Sequence, residues 1–192
     1  MDRRDFLRLG ADKVAEIKAD LARDTAPGSG GNWIRPPFAE AERDFLINCT
    51  RCDKCIAACG YAVLFKLSGE PSHPAAATPA MDLLNRGCHM CADWPCVAAC
   101  ETDALKLPQG DGGAPPRPGK FAVAEIDAAQ CLPYLGPECG ACADFCPLEG
   151  ALQWRRGGRP VINSDICSGC GRCREACITE PKAVKITLLP EG

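Results

Sequence analysis

The chain has 192 residues, of which 16 are cysteine, and a formal net charge of −3 at pH 7. Cysteine at that density reads as a framework, the slight acidic excess argues against nucleic acid as a partner, and no apolar run approaches the length of a transmembrane helix. With 19 Gly and 17 Pro against 3 Trp, 2 Tyr and 6 Phe, the chain should be loop-rich around a modest side-chain core, so something besides packing has to hold it together.

Residues 1–24, MDRRDFLRLGADKVAEIKADLARD, contain no cysteine. Leu7, Val14 and Leu21 fall seven apart and Ile17 joins them on one side, which predicts an amphipathic helix with a narrow apolar stripe. Asp5/Arg8, Lys13/Glu16 and Asp20/Arg23 stand at i,i+3 and support it. We expect this helix to dock on a partner or on the body of the protein. The same segment holds Arg3-Arg4-Asp5-Phe6-Leu7-Arg8, which resembles a twin-arginine export signal. An uncharged apolar stretch should follow. Instead Asp12, Lys13, Glu16, Lys18, Asp20, Arg23 and Asp24 follow, so a cytoplasmic location is expected, with the periplasm as the alternative.

Residues 25–48, which include the Pro/Gly stretch Pro27 to Gly31, read as a linker. Residues 49–109 carry the first half of the cysteines, interrupted by an Ala/Pro-rich loop from Pro71 to Pro79 that is expected to be exposed. A second Gly/Pro linker, 110–119, precedes the other half, 120–192, and no extra catalytic domain is expected beyond it.

The cysteines fall into four groups of four with none left over. The first is Cys49, Cys52, Cys55 and Cys59, and the second Cys88, Cys91, Cys96 and Cys100. The third is Cys131, Cys139, Cys142 and Cys146, and the fourth Cys167, Cys170, Cys173 and Cys177. Groups one and four are C-x2-C-x2-C-x3-C runs, the spacing of bacterial [4Fe–4S] ferredoxins. A cubane needs three thiolates reaching it from one side, and two-residue gaps in a tight loop turn successive sulfurs inward. The fourth cysteine lies beyond the loop and ligates a neighbouring cluster. Sixteen thiolates therefore imply four [4Fe–4S] clusters. After each group comes an Ala-aliphatic segment of strand character: Ala62-Val63-Leu64, Ala104 to Leu107, Ala151 to Trp154 and Ala183 to Ile186. Phe121 to Ile126 and Val161-Ile162 precede groups three and four in the same style. The unit is strand, cluster loop, short helix after the third cysteine, strand. The fold class is therefore α+β: two fused ferredoxin-like modules, loop-rich, with an N-terminal helix.

A disulfide framework needs an oxidising compartment, and cysteines three apart make strained pairs. Zinc sites pair two C-x2-C knuckles, and a three-cysteine run makes a poor tetrahedral cage. His89, between Cys88 and Cys91, could suggest a Rieske-type centre, but four thiols already serve that group, so it reads as a loop residue. Trp94-Pro95 fills the widened gap of group two and should shield a cluster or pack the loop.

Three features give the chain a family likeness over roughly residues 32–190. They are Cys131-Leu132, Leu135-Gly136, Cys139, Cys142 and Cys146-Pro147; the widened second group, Cys88 to Cys100; and Cys177-Ile178-Thr179-Glu180-Pro181 leading into Ala183-Val184-Lys185-Ile186. In these the chain resembles the NapG/MauM family of four-cluster ferredoxin-type proteins (polyferredoxin electron-transfer subunits). Gly60 and Glu101 depart from the proline that often follows the fourth cysteine. The resemblance implies exported relatives that serve molybdenum enzymes or amine oxidation. It also implies nested wiring. Cys49, Cys52 and Cys55 would share a cluster with Cys177, and Cys167, Cys170 and Cys173 with Cys59. Cys88, Cys91 and Cys96 would share with Cys146, and Cys131, Cys139 and Cys142 with Cys100. Sequential pairing of groups one with two and three with four is the alternative.

A line of close cubanes is a wire, and no catalytic constellation stands out. The expected function is that of a non-catalytic electron-transfer subunit between a larger molybdenum or tungsten oxidoreductase, such as an aldehyde oxidoreductase, and a flavoprotein or other carrier. A maturation factor for such an enzyme, or a stand-alone polyferredoxin, is the competing expectation.

Overall fold

The structure, a computed structural model, describes residues 33–108 and 116–189. The helix expected over 1–24 and much of the 110–119 linker lie outside the described residues. What is described is a mixed α/β chain of short elements joined by long loops, with three separate two-stranded sheets.

The N-terminal half starts with α1 (Glu42–Asn48) and α2 (Lys54–Ala58), followed by β1 (Leu64–Lys66), β2 (Pro79–Met81) and α3 (Pro95–Ala98). β1 and β2 form an antiparallel pair with Leu64 opposite Met81. Two isolated bridges, Ile34 with Met81 and Ala39 with Leu105, tie the first described residues to the sheet and to the segment after the second cysteine group. The C-terminal half contains β3 (Ala122–Ile126), α4 (Leu132–Leu135), a 3-10 turn (Ala143–Phe145), β4 (Leu152–Arg155), β5 (Arg159–Ile162), α5 (Arg172–Glu175) and β6 (Val184–Leu188). β4 and β5 form a hairpin, and β3 pairs with β6 so that Ala124 faces Ile186.

The halves repeat one plan. An inner pair, β1–β2 or β4–β5, lies between two cysteine loops. An outer pair, the Ala39–Leu105 bridge or β3–β6, joins the segment before the first loop to the segment after the second. The strand-like segments read from the sequence are found as β1, β4, β5, β3 and β6, and the short helices begin beside the third cysteine of each group. Ala104 to Leu107 contributes only a bridge.

Two expectations are corrected. Residues 33–48 are not linker: α1 buries Phe45 completely, and Arg35 is clamped to Glu42 at 2.6 and 2.8 Å while also donating to the Thr78 hydroxyl and the Pro79 carbonyl. The stretch from Pro71 to Pro79 is not an exposed loop throughout. Ala75 and Thr78 are buried and the chain runs straight into β2, because Arg51 reaches the Ala76 and Pro74 carbonyls and Thr78 bonds back to Ala75.

The main apolar core lies in the N-terminal half: Phe45, Leu46, Val63, Leu64, Met81, Leu83, Trp94, Val97 and Leu105, with Ala122 joining from the other half. Hydrogen bonds with main chain on at least one side join the halves. Cys88 N–H donates to the Cys170 carbonyl at 2.7 Å, Gly87 N–H to Glu175 at 3.2 Å, and Arg174 to the Leu84 carbonyl at 2.8 Å. Gly87 is needed there, since a Cβ on it would stand 2.6 Å from the Arg172 backbone.

Candidate metal centres

Three of the four cysteine loops turn on the same backbone device, a left-handed residue before the second cysteine and another two residues before the third. In the first loop Arg51 and Asp53 adopt left-handed conformations, φ 58° and 62°, immediately before Cys52 and before α2. In the fourth loop the corresponding residues are Gly169 and Gly171, φ 75° and 79°. In the second they are Met90 and Trp94, φ 51° and 44°. A non-glycine residue costs about 1–2 kcal/mol in this region, so the strain is retained where the loop shape matters.

The turns gather the thiols into four sets. Cys55 is held near Cys49, Cys52 and Cys100, close enough for their charged forms to repel. Cys59, Cys88, Cys91 and Cys96 line one cavity beside Trp94 and His89. Cys131, Cys139, Cys142 and Cys177 line another, together with the exposed Trp154 and Ile178. Cys167, Cys170 and Cys173 all feel Cys146, which makes the fourth set. Every set takes three thiols from one loop and the fourth from the other loop of the same half.

This corrects the nested wiring. Cys177 is not with Cys49, Cys52 and Cys55 but with the third group, and Cys59 is with the second group rather than with Cys167, Cys170 and Cys173. Likewise Cys146 serves the fourth group and Cys100 the first. The physical reason is the outer pairing. The Ala39–Leu105 bridge and the β3–β6 ladder each close one half on itself, so the last cysteine of a half returns to the first loop of that half.

The sites adjoin. Cys96 feels Cys55, so the first and second lie side by side. Cys88 feels Cys170 and is bonded to its carbonyl, which joins the second to the fourth. Cys173 feels Cys142, which joins the fourth to the third.

Burial governs the thiols. It pushes Cys88, Cys96 and Cys173 up to about 12 and Cys55 and Cys142 to about 11, with neighbouring thiols adding to the rise. At neutral pH such groups keep their protons until a metal replaces them. Cys52 differs: it is exposed, and the Lys54 backbone N–H and Thr50 lower it. Cys177 is raised by burial, but the Thr179 hydroxyl and nearby N–H groups outweigh that and leave it lowered.

The donor set suits a soft metal centre. Each site offers four sulfurs, and the two cavities are lined almost wholly by apolar groups. Among the described residues no three Cys, His, Asp or Glu are drawn together as a single-ion site. Trp94 is buried, packs edge-on against Phe38 at 4.9 Å, and has an indole N–H without a partner among the described residues, so a donor is free beside the second site. His89 stacks on Tyr61 with centroids 3.3 Å apart, and burial, with Arg172 nearby, lowers its pKa.

The sequence did not indicate Tyr61, Arg172 or Trp154 as neighbours of the sites. Only tertiary contact brings them there.

Known proteins match the chain along most of its length. It is 32% identical to the methylamine utilization ferredoxin-type protein MauM of Methylobacillus flagellatus, over 93% of this chain and 78% of that one. It is 33% identical to the ferredoxin-type protein NapG of Escherichia coli, over 96% and 84%. With NapG of Haemophilus influenzae the identity is 35% over 86% of this chain, which spans 60% of that protein's length. No family model and no solved structure matches it.

Proposed function

The chain belongs to the NapG/MauM family of ferredoxin-type proteins, and we propose that it carries four [4Fe–4S] clusters in two ferredoxin-like modules and relays electrons for a larger oxidoreductase. As a ferredoxin-type protein it is a carrier rather than an enzyme. The observation that carries the proposal is the sorting of all sixteen cysteines into four sets, each with three thiols from one loop and one from its partner loop.

A bound [4Fe–4S] cluster supplies one-electron chemistry at a potential set by its surroundings. The chain's residues do the rest. Cys49, Cys52, Cys55 and Cys100 would hold the first cluster, and Cys88, Cys91, Cys96 and Cys59 the second. Cys131, Cys139, Cys142 and Cys177 would hold the third, and Cys167, Cys170, Cys173 and Cys146 the fourth. The thiols give up their protons to do so. Trp94, held by Phe38, covers part of the second site, and its N–H is a hydrogen-bond donor available near it. The Cys88–Cys170 hydrogen bond, with the charge influence of Cys55 on Cys96 and of Cys142 on Cys173, supports a single line, first–second–fourth–third.

At one end of that line stands a catalytic partner dependent on molybdenum or tungsten, for instance an aldehyde oxidoreductase. At the other stands a flavoprotein or comparable carrier. The cytoplasm is the proposed compartment, since charged residues follow Arg3-Arg4 where an apolar stretch would be needed for export.

Elemental analysis of tagged protein, purified anaerobically from its host at low salt, tests this. Four cubanes require about 16 iron per chain, and molybdenum or tungsten should follow iron in constant ratio. Iron at four per chain or fewer rejects the four-cluster assignment. Full iron without either heavy metal rejects the partner and leaves a free polyferredoxin or a transient assembly factor.

A further inference from the structure

The line of sites has two ends, and their surfaces differ. At the first site Lys54 pairs with Glu101 and Lys66 with Asp53, and the Arg51 guanidinium is turned onto the Cys49, Pro74 and Ala76 carbonyls. At the third the β4–β5 hairpin presents Arg155, Arg156 and Arg159, and residues 152–162 contain no carboxylate. All three arginines are exposed, and none has an ion-pair partner among the described residues. In a chain of net charge −3 this local excess of positive charge stands apart.

The hairpin is also fixed in place. Arg159 lies over the Tyr134 ring at 5.4 Å and donates to the Pro133 carbonyl at 3.3 Å, and the Tyr134 hydroxyl donates to the Pro160 carbonyl at 3.0 Å. These contacts clamp β5 to α4, the helix that follows Cys131. Trp154 completes the arrangement. It lines the third cavity beside Cys131, Cys139, Cys142 and Cys177, yet remains 40% exposed, so one side chain reaches from the thiols to solvent. Ile178, 68% exposed, lines the same cavity.

We propose that the β4–β5 hairpin is the docking face at which the third site exchanges electrons with a redox protein whose surface is acidic around its own cofactor. This rests on the electron-transfer function above. Arg155 and Arg156 steer the acidic partner in, and Trp154 with Ile178 supplies the dry contact at closest approach. Each productive encounter moves one electron from the reduced protein to the oxidised partner.

Two soluble one-electron acceptors test it: flavodoxin, which is acidic, and cytochrome c, which is basic. The dithionite-reduced holoprotein is mixed with each by stopped flow across a salt series. Flavodoxin reduction should slow steeply with salt. The double variant Arg155→Glu/Arg156→Glu should reduce flavodoxin about tenfold more slowly and lose that salt dependence, while its reaction with cytochrome c speeds up. Arg43→Glu, on α1 in the other half, should leave both rates unchanged. Equal flavodoxin rates and salt slopes in the wild type and the double variant would overturn the docking face, as would an equal loss in Arg43→Glu. Iron content and reducible-cluster EPR signals are measured on every preparation. Wild type without reducible clusters refutes the electron-transfer function itself, whereas full signals with unaltered rates refute only the docking face.

Discussion

The two halves share a plan but are held together by different means. The N-terminal half reduces its outer strand pair to the single Ala39–Leu105 bridge, yet fills its interior with Phe45, Leu46, Leu64, Met81, Leu83 and Trp94. The C-terminal half has the longer ladders, β3–β6 and β4–β5, but the buried apolar residues described there are mostly small: Ala122, Ala124, Ala151 and Ala183, with Val184, Leu148 and the prolines Pro118, Pro133 and Pro160. A fully buried large side chain contributes roughly 1.5–3 kcal/mol and an alanine far less. A main-chain hydrogen bond nets only about 1 kcal/mol. The N-terminal half can therefore draw on a conventional core, whereas the C-terminal half depends more on whatever fills its two thiol-lined sites.

Iron removal should separate the halves most clearly, because a metal site's binding energy is largely folding energy. In holoprotein treated anaerobically with an iron chelator, amide exchange should rise first in β3, β4, β5 and β6 and later around Phe45, Leu64 and Met81. Simultaneous loss of protection in both halves, or loss beginning in the N-terminal half, would break the comparison. Native circular dichroism in iron-free protein would show that neither half needs clusters.

Single ligand changes sharpen the same contrast on a smaller scale. Cys96→Ser should damage the second cluster and disturb the first, since Cys96 is near enough to Cys55 to feel its charge. Cys142→Ser should damage the third and disturb the fourth through Cys173. With the larger core beneath it, Cys96→Ser should keep the N-terminal half folded, while Cys142→Ser lowers the thermal midpoint further. Full iron and an unchanged EPR spectrum in either variant would remove that cysteine from its set.

These contrasts were only partly legible in the sequence. The cysteine spacing placed the loops, and the Ala-aliphatic segments placed β1, β4 and β6, because both signals are local. The partnering of the sets was not legible, because the same linear order of thiols serves nested and sequential wiring alike. It is decided by which segments pair as outer strands, and that is a long-range choice. β2 was missed because Pro79-Ala80-Met81 shows no alternation and becomes a strand only between Leu64 and Ile34. α1 was missed because Pro36-Pro37 reads as the approach to a loop, while burial of Phe45 and the Arg35–Glu42 clamp make the helix. The basic hairpin was overlooked because its three arginines gain meaning only from their position at the end of the line of sites.

The smallest effect concerns how the C-terminal half closes its outer ladder. Lys185, on β6, pairs with Asp127 at 2.8 Å, and Asp127 also accepts the Ala129 N–H at 2.9 Å just past the end of β3. The Lys185 contact, then the Ala129 N–H, hold the carboxyl below its usual pKa, and Asp127 in turn raises Lys185. A lowered carboxyl stabilises the fold at pH values above its unfolded pKa and loses that contribution as pH falls through the folded value. A raised lysine stabilises below its unfolded pKa and loses that contribution as pH rises through the folded value. The pair therefore stabilises evenly across neutral pH. Asp127→Asn should lower the thermal midpoint slightly and by the same amount from about pH 6 to pH 9. The gap should narrow with added salt, since Lys185 is well exposed. A deficit that grew between those pH values would assign the effect to another group. A deficit as large as that of Cys142→Ser would mean that the ladder, and not the thiol-lined sites, is what holds the C-terminal half together.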